Sequence, residues 1–240
     1  MVGVHPNTIR MYERIGFISA PTRSANGYRE FTDEHLLQAR LVRLALQVEL
    51  VQSGLRTEAL AIIKAAARRD YAQALALNAD RMAHLDKELS SALEAVRIVE
   101  GLLTHTEPDI GGSVLTRAEA AAQLNTTIDA LRNWEMNGLL QVKRRRNGYR
   151  VYGPDDMNRL AVIRALRLAN YSLASILRLL ETLDDDPKAD IGATLDKPDP
   201  DEDILSVCDE LVTSLRAAIG NARSMGGLIK QLKAWSPGLD

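Results

Sequence analysis

The sequence has few of the residues on which covalent or metal-based chemistry depends. Its 240 residues include one cysteine, Cys208, and four histidines. An internal disulfide and a cysteine-rich metal or iron–sulfur site are therefore excluded. The sequence also contains no Ser/His/Asp set, no metal-spaced cluster and no glycine loop that would cradle a phosphate. We expect a protein that is not an enzyme, needs no cofactor and binds no metal.

Aromatic residues and long apolar runs are also scarce. Aromatics make up 4% of the chain, so the core must consist mostly of Leu, Ile, Val and Ala, as in helical bundles. No apolar run approaches the roughly 20 residues that a membrane-spanning helix needs, and no basic-then-apolar leader opens the chain. The length suits one to three small domains. We expect a cytoplasmic protein without a membrane partner.

What the sequence does contain is an internal repeat. Residues 26–29 and 147–150 both read Asn-Gly-Tyr-Arg, and residues 5–17 align without a gap with residues 127–139. The aligned pairs include Arg10 with Arg132, Tyr12 with Trp134, and Glu13 with Glu135. One chain therefore carries two versions of one module.

Each copy has the local signals of a helix followed by a hairpin. Pro6 favours a helix start after His5, and Thr127 precedes the corresponding segment of the second copy. Glycine-containing loops within residues 17–31 and 143–150 predict β-hairpins. In the second copy an additional helix is predicted after Thr116. The first copy begins too close to Met1 for such a helix, so we expect the first module to lack it and to be less stable.

These motifs resemble the MerR family of bacterial transcription regulators. Residues 8–13, Thr-Ile-Arg-Met-Tyr-Glu, match the family's recognition helix except at Met11, and the glycine turn and Asn-Gly-Tyr-Arg wing follow. The second copy keeps the arginine, the second aromatic and the carboxylate. The resemblance covers residues 1–69, called module 1, and residues 114–183, called module 2. It implies a winged helix-turn-helix domain in each module.

In a helix-turn-helix domain the second helix enters the major groove, and its first turns face bases or phosphates. The DNA-contacting residues predicted for module 1 are Asn7, Arg10, Met11, Tyr12, Arg23, Tyr28 and Arg29. Those predicted for module 2 are Thr127, Asp129, Arg132, Asn133, Trp134, Lys143, Arg144, Arg145, Arg146, Tyr149 and Arg150. For Tyr12 and Trp134, packing within the module is an equal alternative.

The charge distribution supports a polyanionic partner. The whole chain has a net charge of −2, but residues 114–180 carry eleven cations and five anions, a net charge of +6. The following segment, residues 184–203, is acidic and contains prolines, so we interpret it as a solvated linker. A basic module of this size favours nucleic acid as the partner.

Two stretches have apolar residues at alternating spacings of four and three, which predicts coiled-coil helices. In residues 70–104 the positions are Tyr71, Leu75, Asn78, Met82, Leu85, Leu89, Ala92, Val96, Val99 and Leu103. In residues 204–235 they are Ile204, Cys208, Leu211, Leu215, Ala218, Ala222, Met225, Ile229 and Leu232. The polar Asn78 is typical of a residue that sets register. Residues 105–113 are predicted to be a linker.

The expected fold is mainly α, with two winged helix-turn-helix domains that have small β-hairpin wings, each followed by a long coiled-coil helix. The family that the chain resembles dimerises by antiparallel pairing of such helices. Because two apolar stripes of similar length occur in one chain and must be buried, we expect them to pair antiparallel within one molecule. The result is a monomeric pseudo-dimer, with a homodimer as the alternative.

The resemblance implies a DNA-binding transcription regulator. Its partners are then double-stranded promoter DNA and RNA polymerase, with an apolar small molecule as a candidate effector. Because the two modules differ, we expect an asymmetric or imperfectly palindromic site that the protein distorts. Two other functions are compatible with the sequence. One is a small-molecule (drug) binding or sequestering protein derived from such a regulator, and the other is an effector-independent architectural DNA-binding protein.

Overall fold

The computed structural model describes residues 5–47, 54–104, 114–142, 150–197 and 210–235. Over these residues the chain is mainly helical, with ten helices and one two-stranded hairpin, which confirms the predicted fold class. Every described helix is too short or too polar to cross a membrane. The chain divides into two compact units: unit 1 contains Met1–Lys87 and Ser214–Asp240, and unit 2 contains Glu88–Thr213.

Unit 1 starts with the first copy of the repeat. Its elements are α1 (Pro6–Arg14), β1 (Thr22–Arg23), β2 (Arg29–Glu30), α2 (Asp33–Leu46), α3 (Leu55–Ala67) and the first part of α4 (Tyr71–Thr104). The His5 side chain caps α1 by accepting a hydrogen bond from the backbone N–H of Asn7 at 3.2 Å. Strands β1 and β2 are antiparallel and pair Thr22 with Glu30 and Arg23 with Arg29. The hairpin predicted from the Asn-Gly-Tyr-Arg motif is therefore present.

The core of unit 1 joins α1, α2, α3 and α4 to the end of the last helix, α10 (Leu211–Trp235). One cluster contains Tyr12, Val42, Ile62, Ile63, Tyr71, Ala74, Met225, Ile229 and Leu232. The first 87 residues thus share a hydrophobic core with residues near the C-terminal end of the chain. Burial of these aliphatic side chains supplies most of the stabilising free energy of such a core.

A buried carboxylate lies beside this core. Glu34, at the start of α2, is 1% exposed. Arg69 donates two hydrogen bonds to it, from Nε to Oε1 at 2.8 Å and from Nη2 to Oε2 at 2.7 Å. The Tyr71 hydroxyl donates a third, at 2.9 Å to Oε1. The Arg69 hydrogen bond is the main reason that the pKa of Glu34 lies below its ordinary value.

Unit 2 contains the second copy of the repeat. Its elements are the second part of α4, then α5 (Arg117–Gln123), α6 (Ile128–Met136), α7 (Pro154–Leu168), α8 (Leu173–Asp185), α9 (Ile191–Leu195) and the first residues of α10. Thr116 and Glu119 form a capping box at the start of α5. An isolated antiparallel bridge joins Leu115 to Tyr152, with both backbone hydrogen bonds at 2.9 Å.

Within unit 2, two hydrogen bonds join α4 to the turn between α7 and α8. The Asn170 side chain donates to Glu88 at 2.8 Å. The Tyr171 hydroxyl donates to the backbone carbonyl of Ala92 at 3.3 Å. Tyr171 is 1% exposed, and this burial raises the pKa of its hydroxyl to about 12. The tyrosine therefore acts here as a neutral hydrogen-bond donor.

The stripe predicted on α4 is only partly correct. Tyr71, Asn78, Leu85, Ala92 and Val99 are buried, whereas the alternate positions are half-buried and Leu103 is 39% exposed. Other buried residues of α4 are Ala74, Arg81 and Ala95. The buried face of α4 therefore includes small residues such as Ala74 and Ala95 in place of some of the large apolar residues of the predicted stripe. The heptad spacing of large residues does not predict this difference. On α10 every predicted position from Leu211 to Leu232 is buried.

The interpretation of residues 184–203 as a solvated linker is wrong in its described part. Helix α8 continues to Asp185, and α9 follows, with Ile191 and Leu195 buried. Four-residue spacing places these two side chains on one face of α9, and the surrounding acidic residues conceal this short pattern. Asp196 then accepts backbone N–H bonds from Val212 at 3.0 Å and Thr213 at 3.2 Å. The predicted linker 105–113 and residues 198–209, including Cys208 and Ile204, lie outside the described residues.

Asn78 makes a polar contact in unit 1 between α4 and α10. Its Nδ2 donates to the backbone carbonyl of Ala222 at 3.0 Å. A Cβ atom added at Gly226 would lie 3.2 Å from the same Nδ2. Gly226 therefore leaves room for the Asn78 amide, whereas Gly220 and Gly227 have open space around them.

Candidate nucleic-acid interface

The two predicted recognition helices have the same backbone design. Helices α1 and α6 each have nine residues and begin after His5 and Thr127, which are aligned in the repeat. Gly16 and Gly138 follow them in the left-handed region, with φ of 72° and 80°. That conformation is easily adopted only by residues without a Cβ, so glycine permits the sharp exit of the chain. The differences between the two helices therefore lie in their side chains.

Most of the DNA-contacting residues predicted on these helices are exposed. In α1 they are Asn7, Arg10 and Met11, and in α6 with its cap they are Thr127, Asp129, Arg132 and Asn133. Tyr12 and Trp134 are buried, with 7% and 5% exposure. Burial favours the packing alternative for these two aromatic residues, so we do not propose that they contact DNA.

In module 1 the exposed residues border a shallow groove of about 590 Å³. It is lined by Asn7, Arg10, Met11, Glu13, Arg14 and Arg29. Arg10 donates from Nη1 to Asn7 Oδ1 at 3.3 Å, so the two side chains lie together on the outer face of α1. In the hairpin, Arg23 donates to the Gly27 carbonyl at 3.2 Å, and Tyr28 is 76% exposed. These groups are accessible to a large anionic partner.

An ion pair joins the hairpin of module 1 to its recognition helix. Arg29 Nε lies 2.6 Å from Glu13 Oε2. Both side chains are partly exposed, at 33% and 20% respectively. The pair orients the arginine next to Arg10 and Arg14, and the exposed part of its guanidinium faces solvent.

Module 2 has the equivalent ion pair and extends it. Arg150 Nε lies 2.8 Å from Glu135 Oε2, and Arg117 at the start of α5 donates from Nη2 to both Glu135 oxygens at 2.9 and 2.7 Å. The Tyr152 hydroxyl also donates to Glu135 and accepts from Arg117 Nε at 3.1 Å. The bond with Tyr152 is the main reason that the pKa of Arg117 is raised. Glu135 thus joins α5, α6 and the chain that follows the wing.

From the sequence, Arg117 is predicted only to be one of the module's cations. Its pairing with Glu135 requires that α5 and α6 lie side by side, which residue spacing alone does not give. Arg159 is also paired, with Asp184 at 2.8 Å. Asp184 lies outside residues 114–180, so this ion pair reduces the positive charge available to a ligand below the net +6 of that stretch, in which Glu135 is already counted. Arg132 stays exposed on α6, and the basic residues Lys143, Arg144, Arg145 and Arg146, with Tyr149, lie outside the described residues.

The structure also shows what the described residues do not form. Within those residues no group of three or more His, Cys, Asp or Glu side chains is placed to hold a metal ion. The arrangement consists of paired helices, a hairpin beside a recognition helix, and exposed arginine and amide groups. It defines a protein of the winged helix-turn-helix class.

Comparison with known proteins gives a match for each copy of the repeat. Residues 115–183 match the model described as MerR HTH family regulatory protein, and residues 1–31 match the model of the MerR family regulatory protein. The HTH-type transcriptional regulator CueR of Escherichia coli O6:H1 is 43% identical over 56 residues, which are 22% of this chain and 42% of that protein. CueR of Salmonella typhi is 46% identical over 46 residues, 19% of this chain and 33% of that protein.

The chain therefore carries two MerR-type helix-turn-helix regions. It spans about two fifths or less of the length of these curated relatives. No solved structure matches the chain at a significant level.

Proposed function

We propose that this protein is a transcription regulator that binds double-stranded DNA with both of its helix-turn-helix modules. The observation that carries the proposal is the common design of α1 and α6. Each helix buries its aromatic residue and exposes the aligned arginine, Arg10 or Arg132. Recognition helices of this class contact base edges with exposed side chains of their first turns. The two MerR-type regions support promoter DNA as the target and RNA polymerase as the further partner.

The two modules present different chemistry to DNA. The exposed face of α1 carries Arg10 and Arg14, whereas the corresponding positions in α6 are Arg132 and the uncharged Met136. The modules therefore read unequal half-sites, and the complete site is asymmetric or an imperfect palindrome. Distortion of the DNA between the half-sites belongs to the same proposal, by analogy with the family.

The proposal includes a single-chain pseudo-dimer in which α4 and α10 pair antiparallel. Two observations within unit 1 support this pairing. Asn78 of α4 bonds the Ala222 carbonyl of α10, and Tyr71 and Ala74 share a core with Met225, Ile229 and Leu232. Sedimentation equilibrium at micromolar concentration should give the mass of one chain, 26.4 kDa. Twice that mass would favour the homodimer.

DNA binding can be tested with the full chain by fluorescence anisotropy. The labelled duplexes are the region upstream of the protein's own gene and a scrambled duplex of equal length. Wild-type protein should bind the upstream duplex more tightly. The R10A and R132A variants should each weaken specific binding by roughly 5- to 150-fold, because each removes one base-contacting arginine. A matched control is R216A, since Arg216 is exposed on α10. Equal binding of both duplexes by wild type would contradict specific recognition.

A groove in unit 1 favours small-molecule binding as a second candidate function. Its volume is about 910 Å³, and it is lined by the exposed aromatic residues Tyr28, Phe31 and Trp235 and by apolar residues of α1 and α2. The polar part of its lining includes Arg10, Arg29, His35 and Asp33, so the arginines outnumber the one carboxylate. Aromatic and apolar walls with a few charged groups are typical of ligand sites. The groove suits a planar aromatic anion, which would be an effector or the molecule that is sequestered.

The groove can be tested with anilinonaphthalene sulfonate as a planar anionic probe. Because Trp235 lines the groove, binding should change its fluorescence, and W235F should remove that change. Trp134 lies in unit 2 and serves as the internal reference. A specific duplex should displace the probe, since Arg10, Tyr28 and Arg29 are needed by both ligands. Probe binding unaffected by R10A and by DNA would argue against this site.

A further inference from the structure

The two recognition helices differ in charge at one aligned position. Asn7 is the second residue of α1 and Asp129 is the second residue of α6. Both side chains are exposed. Residues at this place in a recognition helix contact base edges in the major groove. An amide and a carboxylate at the same place therefore present different hydrogen-bonding groups to the two half-sites.

The immediate surroundings of these two side chains also differ. The Asn7 amide accepts a hydrogen bond from Arg10 at 3.3 Å. Within the part of the chain that the structure describes, the Asp129 carboxylate has no hydrogen-bond or ion-pair partner. Arg132 lies three residues after Asp129, on the same side of the helix. Module 2 thus presents an accessible carboxylate next to an accessible guanidinium.

A carboxylate in the major groove is selective because it only accepts hydrogen bonds. Guanine presents two acceptors there and thymine presents one acceptor and a methyl group, so both disfavour it. Cytosine presents its N4 amino group, which is the usual partner of Asp or Glu. Adenine presents an amino group beside an acceptor, a pattern that matches the donor and acceptor of an asparagine amide.

We propose that Asp129 selects a cytosine in the half-site of module 2, and that Asn7 selects an adenine at the corresponding place in the half-site of module 1. The inference rests on the proposed function, because it requires that both modules bind DNA. It goes beyond that function by naming the base that makes the two half-sites unequal. The neighbouring Arg10 and Arg132 are aligned in the repeat and contact guanine in both half-sites, so they do not distinguish them.

Asp129 also has a simpler structural role. A carboxylate in the first turn of a helix interacts favourably with the positive end of the helix dipole. That role predicts that its loss weakens binding to all sequences by one factor. Base selection instead predicts a change that depends on one base pair. The experiment must therefore compare sequences as well as variants.

The test begins with selection of bound duplexes from a random-sequence library by the full-length wild-type protein. The affinity is then measured for four duplexes that differ only at the base pair assigned to Asp129. Wild type should prefer cytosine by roughly 5- to 150-fold. D129A should reduce this preference to about twofold or less and bind the other three duplexes more tightly, because a carboxylate repels their acceptors and the phosphates. D129N should prefer adenine.

The matched variant is N7D, which should transfer the cytosine preference to the other half-site and leave the Asp129 half-site unchanged. Circular dichroism of each variant checks that the total helix content is unchanged. If D129A shifts the affinity for all four duplexes equally, the base assignment is overturned while DNA binding stands. If wild type enriches no duplex at all, both the assignment and the proposed function fail.

Discussion

Arg150 lies with its Nε atom 2.8 Å from Glu135 Oε2, and the aligned residue of the other module, Arg29, lies 2.6 Å from Glu13 Oε2. The same ion pair therefore occurs in both copies of the repeat. In each copy it joins the end of the wing motif to the recognition helix. Only in module 2 does a second arginine, Arg117, bind the same carboxylate among the described residues.

This difference predicts unequal effects of removing the two glutamates. E135A should lower the free energy of unfolding by about 2–3 kcal/mol, because the Glu135 side chain is only 7% exposed and two arginines and Tyr152 lose their partner. E13A should lower it by only about 0.5–1 kcal/mol, since its ion pair is more exposed. Urea denaturation of E135A in a W235F background can be followed by Trp134, which lies in unit 2. Equal losses for both variants would show that the Arg117 hydrogen bonds add no stability.

Glu34 makes the stability of unit 1 depend on acid pH. Its pKa is lowered from 4.5, chiefly by the Arg69 hydrogen bond, so its stabilising contribution is present above pH 4.5 and is lost as the pH falls through the lowered pKa. E34Q should therefore be less stable than wild type by about 1–3 kcal/mol at pH 7. The difference should shrink as the pH is lowered below 4.5.

The measurement is urea denaturation between about pH 7 and pH 3, a range that spans the titration of Glu34, followed by Trp235 fluorescence in a W134F background. The control is Y71F, which keeps the ion pair and removes one hydrogen bond to Glu34. Y71F should lower the free energy of unfolding by about 1 kcal/mol. A difference between E34Q and wild type that stays constant over this whole range would contradict the assigned role of Glu34.

Neighbouring glycines of α10 should respond differently to alanine. At Gly227 a Cβ atom meets nothing within 4 Å, so G227A should stabilise the protein by about 0.5–1 kcal/mol through its higher helix propensity. At Gly226 the Cβ atom would lie 3.2 Å from Asn78 Nδ2. G226A should therefore be less stable than G227A by roughly 1–3 kcal/mol. Thermal unfolding compares the two, with G220A as a second open site, and similar values at 226 and 227 would mean that Asn78 moves freely.

The basic run from Lys143 to Arg146 should control the salt dependence of DNA binding. A variant with all four residues changed to alanine should bind specific and scrambled duplexes more weakly by the same factor. The slope of log K against log salt should fall by about 0.9 for each phosphate that the variant no longer neutralises. A matched control neutralises Arg216, Arg223, Lys230 and Lys233, which are exposed on α10. If the control flattens the slope equally, total charge and not the wing determines the effect.

Several elements could be predicted from the sequence because their signals are local. Pro6 and Thr127 mark the starts of the recognition helices, and both helices begin there in the structure. Thr116 likewise caps the additional helix predicted in the second copy. The repeat itself predicted two copies of one module, which the family comparison confirms.

Other features depend on which elements meet in space and were not predictable from local signals. Arginine is mostly exposed in proteins, but Arg81 is 4% exposed and donates a hydrogen bond to the Leu55 carbonyl. Burial lowers its pKa. From the sequence, Tyr12 and Trp134 were equally compatible with DNA contact and with packing inside the module. Their burial in the structure favours packing. Helix α9 was missed because its two apolar residues stand among charged ones.

The hydrogen bond from Asn78 to Ala222 spans 144 positions of the chain, which affects how the protein folds during its biosynthesis. Unit 2 is one continuous segment, so all its residues are synthesised before the remaining part of unit 1, Ser214–Asp240. The core around Tyr12 and Ile63 is incomplete until Met225, Ile229 and Leu232 have been synthesised. The part of the protein that is translated first is thus completed last, and a premature stop after residue 213 would leave its core without these side chains.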